Sequence, residues 1–376
     1  MQLSLFPEIA TEAPYTEGIK YAGSKLRLLP YILQLANRAQ PRTVFDGFTG
    51  TTRVAQMFAR NGQQVITNDS AIWSKIFALC YLKNQRPASY YQKPIDHLNA
   101  LPGKEGWFTE HYGGLPNAGS SIQSDGLKKP WQIHNAKKLD AIRAEIDNLN
   151  LNEVEIATLL TSLILALDEV DNTLGHYASY LNEWSPRSYN TMKLTVPKLI
   201  SSPQEHKIYH GDIFGALEHV HADLAYYDPP YGSNNEKMPP SRVRYAAYYH
   251  LWTTICLNDC PVIFGKVKRR VDSSDELAGS VFEEFRKNAR GRFIVVDAIE
   301  RLLMETRSRF ILLSYSSGGR ATAEQLDDLL HKAGKVIEFV KVDYRRNVMA
   351  DMRWTHEWVR DDEPGHQEYL FLIEKR

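Results

Sequence analysis

The chain has 376 residues, which is enough for two domains or for one enlarged α/β domain with a large core. Its 45 basic and 45 acidic residues cancel, so the total charge does not indicate a nucleic-acid partner, although a local basic patch would still bind one. No apolar run reaches membrane-spanning length and no secretory signal follows Met1, so we expect a cytoplasmic protein without a membrane segment. The three cysteines lack disulfide or metal-binding spacing, and we expect no metal site.

The first patterned stretch follows a loosely held arm, residues 1–18, that mixes acids, prolines and small residues. It covers residues 20–25, in which small residues precede Lys25, and apolar residues at helical spacing follow. A loop of small residues with a lysine at a helix start can approach an anionic or polar ligand closely. This stretch is therefore a candidate ligand loop.

A strand, a glycine loop and a helix come next, at residues 43–46, 47–50 and about 51–60. This order opens the first cofactor crevice of a doubly wound sheet. A second predicted strand, residues 64–69, ends in Asp69, whose carboxylate can accept both hydrogen bonds of a ribose diol. Nicotinamide enzymes use the same geometry, but they require a G-x-G-x-x-G pattern that is missing after Asp46. The sequence therefore favours a nucleoside cofactor that has no pyrophosphate.

Residues from about 70 to 203 are less patterned and richer in aromatic side chains. One long helix is predicted there, with Asn150 and Glu153 resembling a capping box at its start. Basic residues interleaved with aromatic residues around this helix suit phosphate contacts and base stacking. A helical lid without nucleic-acid contacts is the alternative.

The most informative stretch is an apolar, buried strand, residues 222–227, that ends at Asp228. Pro229 and Pro230 follow, and because prolines carry no amide hydrogen, the backbone after Asp228 is freed from the sheet. The carboxylate, a proline carbonyl and the ring of Tyr231 suit the binding of a planar base through its exocyclic amine and its face. The plain alternative is an acidic strand end with a Pro-Pro turn.

The remaining chain supplies two basic segments and the elements that complete the sheet. Arg242 and Arg244 belong to a loop at residues 232–245, while Lys268, Arg269 and Arg270 form a dense positive cluster. Either segment is a candidate for phosphate contacts, although charge runs are usually solvated surface. We predict strands at 207–212, 261–264, 309–314, 336–342 and 367–373, and helices at about 246–257, 278–289 and 323–333.

The motif order resembles that of the alpha-type DNA adenine methyltransferases, the Dam-like class, from about residue 19 to the end. The resemblance rests on residues 20–25, Phe48-x-Gly50, Asp69 and the run from Asp228 to Tyr231. It implies a doubly wound, Rossmann-like α/β sheet of the S-adenosylmethionine-dependent methyltransferases, with seven strands. It also implies a catalytic domain at residues 19–74 and 204–376, and an inserted, mainly helical target-recognition domain at residues 75–203.

The resemblance assigns roles to individual residues. It implies donor contacts by Tyr21, Lys25, Asp46, Phe48, Gly50, Asp69, Asp212 and Ile213, and catalysis by Asp228, Pro229, Pro230 and Tyr231. The basic residues Arg242, Arg244, Lys268, Arg269 and Arg270 are the candidates for contacts with DNA. Two positions depart from the family pattern, since the family usually has tryptophan at Tyr21 and a second glycine at Thr52.

The implied activity is transfer of a methyl group from S-adenosylmethionine to the N6 amine of adenine in a specific double-stranded DNA sequence. A bacterial cytoplasmic enzyme of this kind suits a restriction-modification system with a cognate restriction endonuclease. Methylation of the cytosine amine is one alternative, although those enzymes more often carry serine at the position of Asp228. A DNA-binding protein that has lost catalysis is another, and the intact Asp228, Asp69 and Gly50 argue against it.

The N-terminal arm contains a separate signal. Its residues Gln2, Leu3, Ser4, Leu5 and Phe6 resemble the short peptide by which many bacterial DNA-processing proteins bind the sliding clamp of replication. Leu5 and Phe6 are adjacent apolar anchors, and Pro7 disfavours a helix after them. The alternative is that these residues pack on the main domain as a terminal strand.

Overall fold

The computed structural model describes residues 12–232, 244–274, 279–343 and 367–376, so residues 2–6 of the arm and Arg242 lie outside the described residues. The α-helices in these ranges are α1 (Leu29–Ala39), α2 (Arg53–Arg60), α3 (Ile72–Ala78), α4 (Ala88–Ala100), α5 (Trp107–Tyr112), α6 (Ile133–Asn148), α7 (Glu153–Val170), α8 (Ile213–Leu217), α9 (Tyr245–Tyr248), α10 (His250–Leu257), α11 (Ile294–Glu305) and α12 (Ala323–Ala333). Within these ranges, no helix has both the length and the apolar character needed to cross a bilayer.

The strands form one large sheet and two short pairs. They are β1 (Thr43–Asp46), β2 (Gln64–Asp69), β3 (Gly113–Gly114), β4 (Trp131–Gln132), β5 (Lys207–His210), β6 (Leu224–Tyr227), β7 (Ile263–Phe264), β8 (Arg269–Arg270), β9 (Phe310–Ser316), β10 (Gly334–Asp343) and β11 (Gln367–Lys375). The large sheet has seven strands in the order β10-β11-β9-β6-β1-β2-β5, which confirms the predicted mixed α/β architecture.

Strand direction brings the strand-end residues together. The adjacent strands β5, β2, β1, β6 and β9 are parallel, so their carboxyl ends share one edge of the sheet. Strand β11 runs antiparallel to β9 and to β10, and its first residues therefore lie at that same edge. The chain order reverses between β1 and β6, which makes their shared edge the expected ligand crevice of an open α/β sheet.

Both faces of the sheet are covered, because successive residues of a strand point to opposite sides. Val44 and Leu224 pack into one hydrophobic cluster with residues of α1, α2, α3 and α7. Phe45 and Ala225 pack into a second cluster with residues of α8, α11 and α12. The strands are therefore buried on both faces, as their continuous apolar runs indicate.

The helices of residues 75–203 share the first of these clusters with the sheet. Leu98 of α4, Ile142 of α6 and Leu160 of α7 belong to it together with Val44 of β1. Helix α7 has the predicted capping box two residues later than expected, since Asn152 caps the helix and Glu155 completes the box. Asn150 and Glu153 do not form this box, because the helix begins at Glu153, directly after the capping residue Asn152.

Two predictions for the later elements were wrong, and one helix was not predicted. Residues 261–264 do not join the large sheet, and only Ile263–Phe264 pair, with Arg269–Arg270, in a separate short hairpin. No α-helix occupies the described residues 279–289, where Val281–Glu283 form one 3-10 turn. The helix of this region is α11, whose residues Val295, Ile299 and Leu302 bury one face at helical spacing.

Candidate active site

A cavity of about 560 Å³ opens at the carboxyl edge of β1, β2, β5 and β6. Its lining includes Asp228 and Pro230 of the predicted catalytic motif. It also includes all eight residues that were predicted to bind the donor: Tyr21, Lys25, Asp46, Phe48, Gly50, Asp69, Asp212 and Ile213. These residues are far apart in sequence and meet because parallel strands end side by side.

The glycine loop is held by the acid at the end of β2. The Gly50 amide donates to Asp69 Oδ2 at 2.8 Å, and the Ala71 amide donates to Asp69 Oδ1 at 2.8 Å. Burial raises the pKa of Asp69, and these two amides act against that rise. Thr52 adopts a left-handed φ of +63°, which is costly for a β-branched residue and accounts for a glycine at this position in the resembled family.

Asp46 lies at the end of β1, and its buried carboxylate has no cationic partner among the described residues. It is 1% exposed and forms no ion pair in the part of the chain that the structure describes, although the backbone amides of Phe48 and Ala55 lie near enough to lower its pKa. Burial raises its pKa well above the ordinary value, and the negative charges of Asp228 and Asp69 raise it further. A buried acid that lines a cavity without a partner is suited to a cationic ligand group.

Tyr21 belongs to an aromatic group on the other side of the cavity. Its ring stacks on Tyr249 at 4.7 Å and on Tyr245 at 5.5 Å between centroids, and it meets Trp73 edge-on at 5.7 Å. The Tyr249 hydroxyl also accepts a 2.7 Å hydrogen bond from the Ala22 amide. The loop before Lys25 is thus fixed against α9 and α10.

Asp212 and Ile213 mark the start of α8. The Asp212 side chain caps this helix and accepts from the Phe214 amide at 2.9 Å. A Cβ atom at Gly47 would lie 2.9 Å from the Ile213 side chain and 2.7 Å from Tyr227, so the absence of a side chain lets the loop close on both. Ile213 therefore forms an apolar wall beside the glycine loop.

Asp228 lies in a network of charged and phenolic groups. Lys25 Nζ lies 3.0 Å from Asp228 Oδ1 and 2.9 Å from Glu368 Oε1. The Tyr231 hydroxyl lies 2.7 Å from Asp228 Oδ1 and 3.0 Å from Glu368 Oε1, and it also accepts from Lys25. Ser314 donates to Glu368 Oε1 at 2.7 Å.

Burial raises the pKa of Asp228 to about 6, although Lys25 acts against the rise, and the negative charge of Glu368 adds to it. For Lys25, burial lowers the pKa, but the two carboxylates outweigh burial and raise the pKa above its ordinary value. The ammonium is therefore charged throughout the ordinary pH range, while Asp228 changes protonation state just below neutrality.

The basic candidates differ in their surroundings. Arg270 is 4% exposed and its guanidinium pairs with Asp259 at 2.7 Å and Asp272 at 2.8 Å, which corrects its assignment as a phosphate contact. Arg244 is also buried, at 3% exposure. It lies beside Glu283, and its positive charge acts to lower the pKa of that acid, which burial raises. Lys268 and Arg269 are half-buried, and Arg269 lies over the Phe264 ring at 4.9 Å.

Sequence reasoning missed several residues of this site. Glu368 was assigned only to a structural strand, and Glu283, Trp73 and Tyr245 of the cavity lining were not singled out. An acid among the first residues of an otherwise apolar strand is the one local signal at Glu368. It gains meaning only from the strand's direction, which carries it to the edge where Asp228 lies.

Comparisons with known proteins agree with this geometry. Residues 21–271 match the family model of the D12 class N6 adenine-specific DNA methyltransferases. The chain is 26% identical over 371 residues to the type II methyltransferase M.NlaIII of Neisseria lactamica, covering 95% of this chain and 99% of that protein.

Two further relatives are longer than this chain. It is 27% identical over 351 residues to the modification methylase StsI of Streptococcus sanguinis, covering 87% of this chain and 48% of that protein. It is 27% identical over 372 residues to the type II methyltransferase M.FokI of Planomicrobium okeanokoites, covering 95% of this chain and 53% of that protein. The chain thus spans about half the length of these two relatives.

Proposed function

Because this chain belongs to the D12 class of N6 adenine-specific DNA methyltransferases, we propose that it moves the methyl group of S-adenosylmethionine to adenine N6 within a specific double-stranded DNA sequence. Membership in the family makes the chain an adenine-specific DNA methyltransferase, an enzyme that uses a methyl donor. The observation that carries the proposal is a single cavity that joins Asp46, which has no cationic partner among the described residues, to Asp228.

The residues of the cavity fit S-adenosylmethionine. Asp46 would hold the ammonium of the donor's methionine part, since it is buried and has no cationic partner among the described residues. Asp69 would accept from the ribose hydroxyls, and Ile213 would pack against the adenine ring beside Asp212. When bound, the donor supplies a methyl group made electrophilic by its sulfonium.

Asp228 and the Pro229 carbonyl would accept the two hydrogens of the target amine. An aromatic amine is a poor nucleophile because its lone pair is delocalised into the ring. The two acceptors favour a tetrahedral nitrogen, on which the lone pair is localised and can attack. As the N6 lone pair bonds to the methyl carbon and the old carbon–sulfur electron pair stays on sulfur, Asp228 stabilises the positive charge on nitrogen. That charge disappears when the extra N6 proton leaves.

Tyr231 would offer a stacking surface to a base that has left the duplex. Extruding a base costs a few kcal/mol, and stacking on an aromatic ring offsets part of this cost. The ring of Tyr231 is supported edge-on by Tyr315 at 5.0 Å, and its hydroxyl is tied to Asp228.

DNA contacts are proposed for Lys268 and Arg269 of the β7–β8 hairpin and for the predicted target-recognition segment, residues 75–203. The hairpin adjoins the cavity, since Arg270 and Asp272 belong to the cavity lining. Replacing Lys268 and Arg269 with glutamine should reduce the slope of log affinity against log salt by up to about 2. The matched control replaces Arg309 and Lys335, exposed cations at the starts of β9 and β10 on the opposite edge, and should leave the slope unchanged.

Partners beyond DNA follow from the sequence and from the relatives' names. Modification methylases and type II methyltransferases are among the relatives, which supports a role in a bacterial restriction-modification system with a cognate endonuclease. Leu5 and Phe6 support docking on a sliding clamp, which would raise the local concentration of the enzyme at new DNA. Clamp binding by the intact protein, lost in a Leu5→Ala, Phe6→Ala variant, is the expected result.

Methylation of DNA with labelled donor, followed by digestion to nucleosides, tests the proposed reaction. We expect label in N6-methyl-2′-deoxyadenosine from double-stranded DNA, concentrated at one sequence when methylated sites are mapped. Label in methylcytosine would support the cytosine alternative, and absence of label from any DNA would support a protein that binds without catalysis.

A further inference from the structure

Glu368 is a second buried carboxylate beside Asp228, and the catalytic motif does not account for it. It is 7% exposed and follows Gln367 at the start of β11, opposite Ser316 of β9. It shares a face of the strand with Leu370 and Leu372, which pack on the side of the sheet that α1 covers. Lys25 precedes α1 and reaches Glu368 from that side.

The resting network poses a problem for the proposed reaction. Lys25 and Tyr231 both contact Asp228 Oδ1. In the proposed reaction, a carboxylate oxygen of Asp228 must instead accept a hydrogen bond from the target amine. Tyr231 has one hydroxyl hydrogen, so it can donate to either Asp228 or Glu368 but not to both at once. With Asp228 alone, the Lys25 ammonium would neutralise the carboxylate and repel the charge that grows on the amine.

We propose that Glu368 is a positioning residue that holds Lys25 and Tyr231 when the target amine takes their place on Asp228. Two carboxylates and one ammonium leave a net negative charge in the network, which favours the cationic nitrogen of the transition state. Ser314 is fully buried on β9 and fixes Glu368 Oε1 at 2.7 Å, so the second acceptor is held in place. This inference rests on the proposed role of Asp228.

The charged and titratable groups around Asp228 decide how the proposal is tested. Lys25 and Tyr21 face it from the N-terminal loop, Asp46 from β1, Glu368 from β11, Tyr226 and Tyr231 from its own segment, and Tyr245 from α9. Among them, the charge of Glu368 raises the pKa of Asp228. Removing this charge should therefore lower the pKa of Asp228, which loss of packing alone would not do.

The test is the pH dependence of methyl transfer by Glu368→Gln under single-turnover conditions with saturating donor. We expect at least about a tenfold slower transfer and an acidic limb that moves to lower pH. Affinity for the demethylated donor product should stay near that of the wild type, since Glu368 is not among the residues that line the cavity. Glu368→Asp should recover part of the rate, because it restores the charge.

Glu374→Gln is the matched control. Glu374 lies on the same strand, near its other end, and pairs with Arg309 at 2.7 Å. This variant should change neither the rate nor the acidic limb. Transfer by Glu368→Gln at the rate of Glu374→Gln, or slower transfer with an unmoved acidic limb, would overturn the inference.

Two further variants separate the possible failures. If Glu368→Gln does not fold, Ser314→Ala decides instead, since it removes the hydroxyl that fixes Glu368 and keeps the charge of Glu368, and it should slow transfer and move the limb in the same direction. An active Asp228→Ala variant would refute the proposed function itself. An inactive Asp228→Ala variant beside a normal Glu368→Gln variant would refute only the role of Glu368.

Discussion

Two acids at the ends of adjacent strands have opposite surroundings. Asp46 ends β1 and has no cationic partner among the described residues, whereas Asp228 follows β6 and contacts both Lys25 and Tyr231. Asp46 is buried and Asp228 half-buried, and both have raised pKa values. On the proposed assignment, Asp46 would gain its cationic partner from the donor, while Asp228 is already paired and would have to exchange partners. This contrast separates binding from catalysis, and substitutions at the two acids should separate them too.

The largest expected effect comes from the catalytic side. Asp228→Ala should reduce the rate of methyl transfer by about 10²–10³-fold, because the acceptor for the charged nitrogen is lost. Donor affinity should change by only several-fold, since the carboxylate acts on the base. Single-turnover rates and calorimetry with the donor product measure the two quantities separately.

Asp328→Ala, at an exposed acid on α12, is the control for this substitution and should behave as wild type. An Asp228→Ala variant that kept more than about a tenth of the wild-type rate would show that the carboxylate stabilises the transition state by less than ~1.4 kcal/mol. Such a result would remove Asp228 from the mechanism.

Asp46→Asn should affect the donor side alone. It should have opposite effects on donor affinity, which falls, and on the stability of the unliganded protein, which rises. It should weaken donor-product binding by about 3 kcal/mol or more, because a buried carboxylate–ammonium pair is lost. It should also raise the melting temperature of the unliganded protein at pH 8, because the unfolded chain carries this carboxylate charged whereas burial opposes the charge in the fold. Calorimetry and thermal unfolding give the two readings.

The sign follows from the raised pKa of Asp46. The folded protein binds this proton more tightly than the unfolded chain, so the wild type loses stability relative to Asp46→Asn as the pH rises through the folded pKa. An unchanged donor affinity together with a lower melting temperature would show that Asp46 serves the fold and not the donor.

Asp69→Ala should have a smaller effect on the same side. Hydrogen bonds to a charged acceptor contribute roughly 1.5–3 kcal/mol, so donor-product affinity should fall by one to two orders of magnitude. Part of this loss reflects the glycine loop, since the Gly50 and Ala71 amides lose their acceptor. Asp69→Asn keeps an acceptor for one amide and should weaken binding less. Equal affinity in all three proteins would locate the ribose elsewhere.

The pH profile of the wild type gives the smallest effect. Asp228 has a folded pKa raised to about 6, so kcat/KM at saturating donor should fall about tenfold per pH unit below that value and level off above it. The loss occurs on acidification because a protonated carboxyl has one fewer acceptor for the amine. A profile that stayed flat down to pH 5 would contradict the ionised carboxylate as the acceptor.

The sequence was most informative where structure is local. The acids Asp46, Asp69 and Asp228 were placed correctly at strand ends because an apolar run, a glycine or proline signal and the change in periodicity all lie within a few residues. Helix α12 was predicted within its observed bounds, Ala323–Ala333, for the same reason. Its Thr322 cap and Gln325 form a capping box that can be read directly.

Elements with weak local signals were misjudged. Helix α11 starts with Ile294, Val295 and Val296, which have high strand propensity, and it becomes a helix because its apolar face packs on the sheet. Arg270 belongs to a positive run in the sequence, but it is neutralised by Asp259 and Asp272, which the fold brings beside it. Propensity and charge count describe a residue's neighbours in the chain, not in space.

By itself, the sequence determined the family, the α/β class and the positions of Asp46, Asp69 and Asp228 at strand ends, because each belongs to a short motif with its own strand end. Only the tertiary structure decided that Asp46 has no cationic partner among the described residues and that Lys25 is shared between Asp228 and Glu368. The physical reason is strand order. Strand β11 enters beside β9 in the reverse direction and brings Glu368 to the edge where the parallel strands end, a contact that no local pattern encodes.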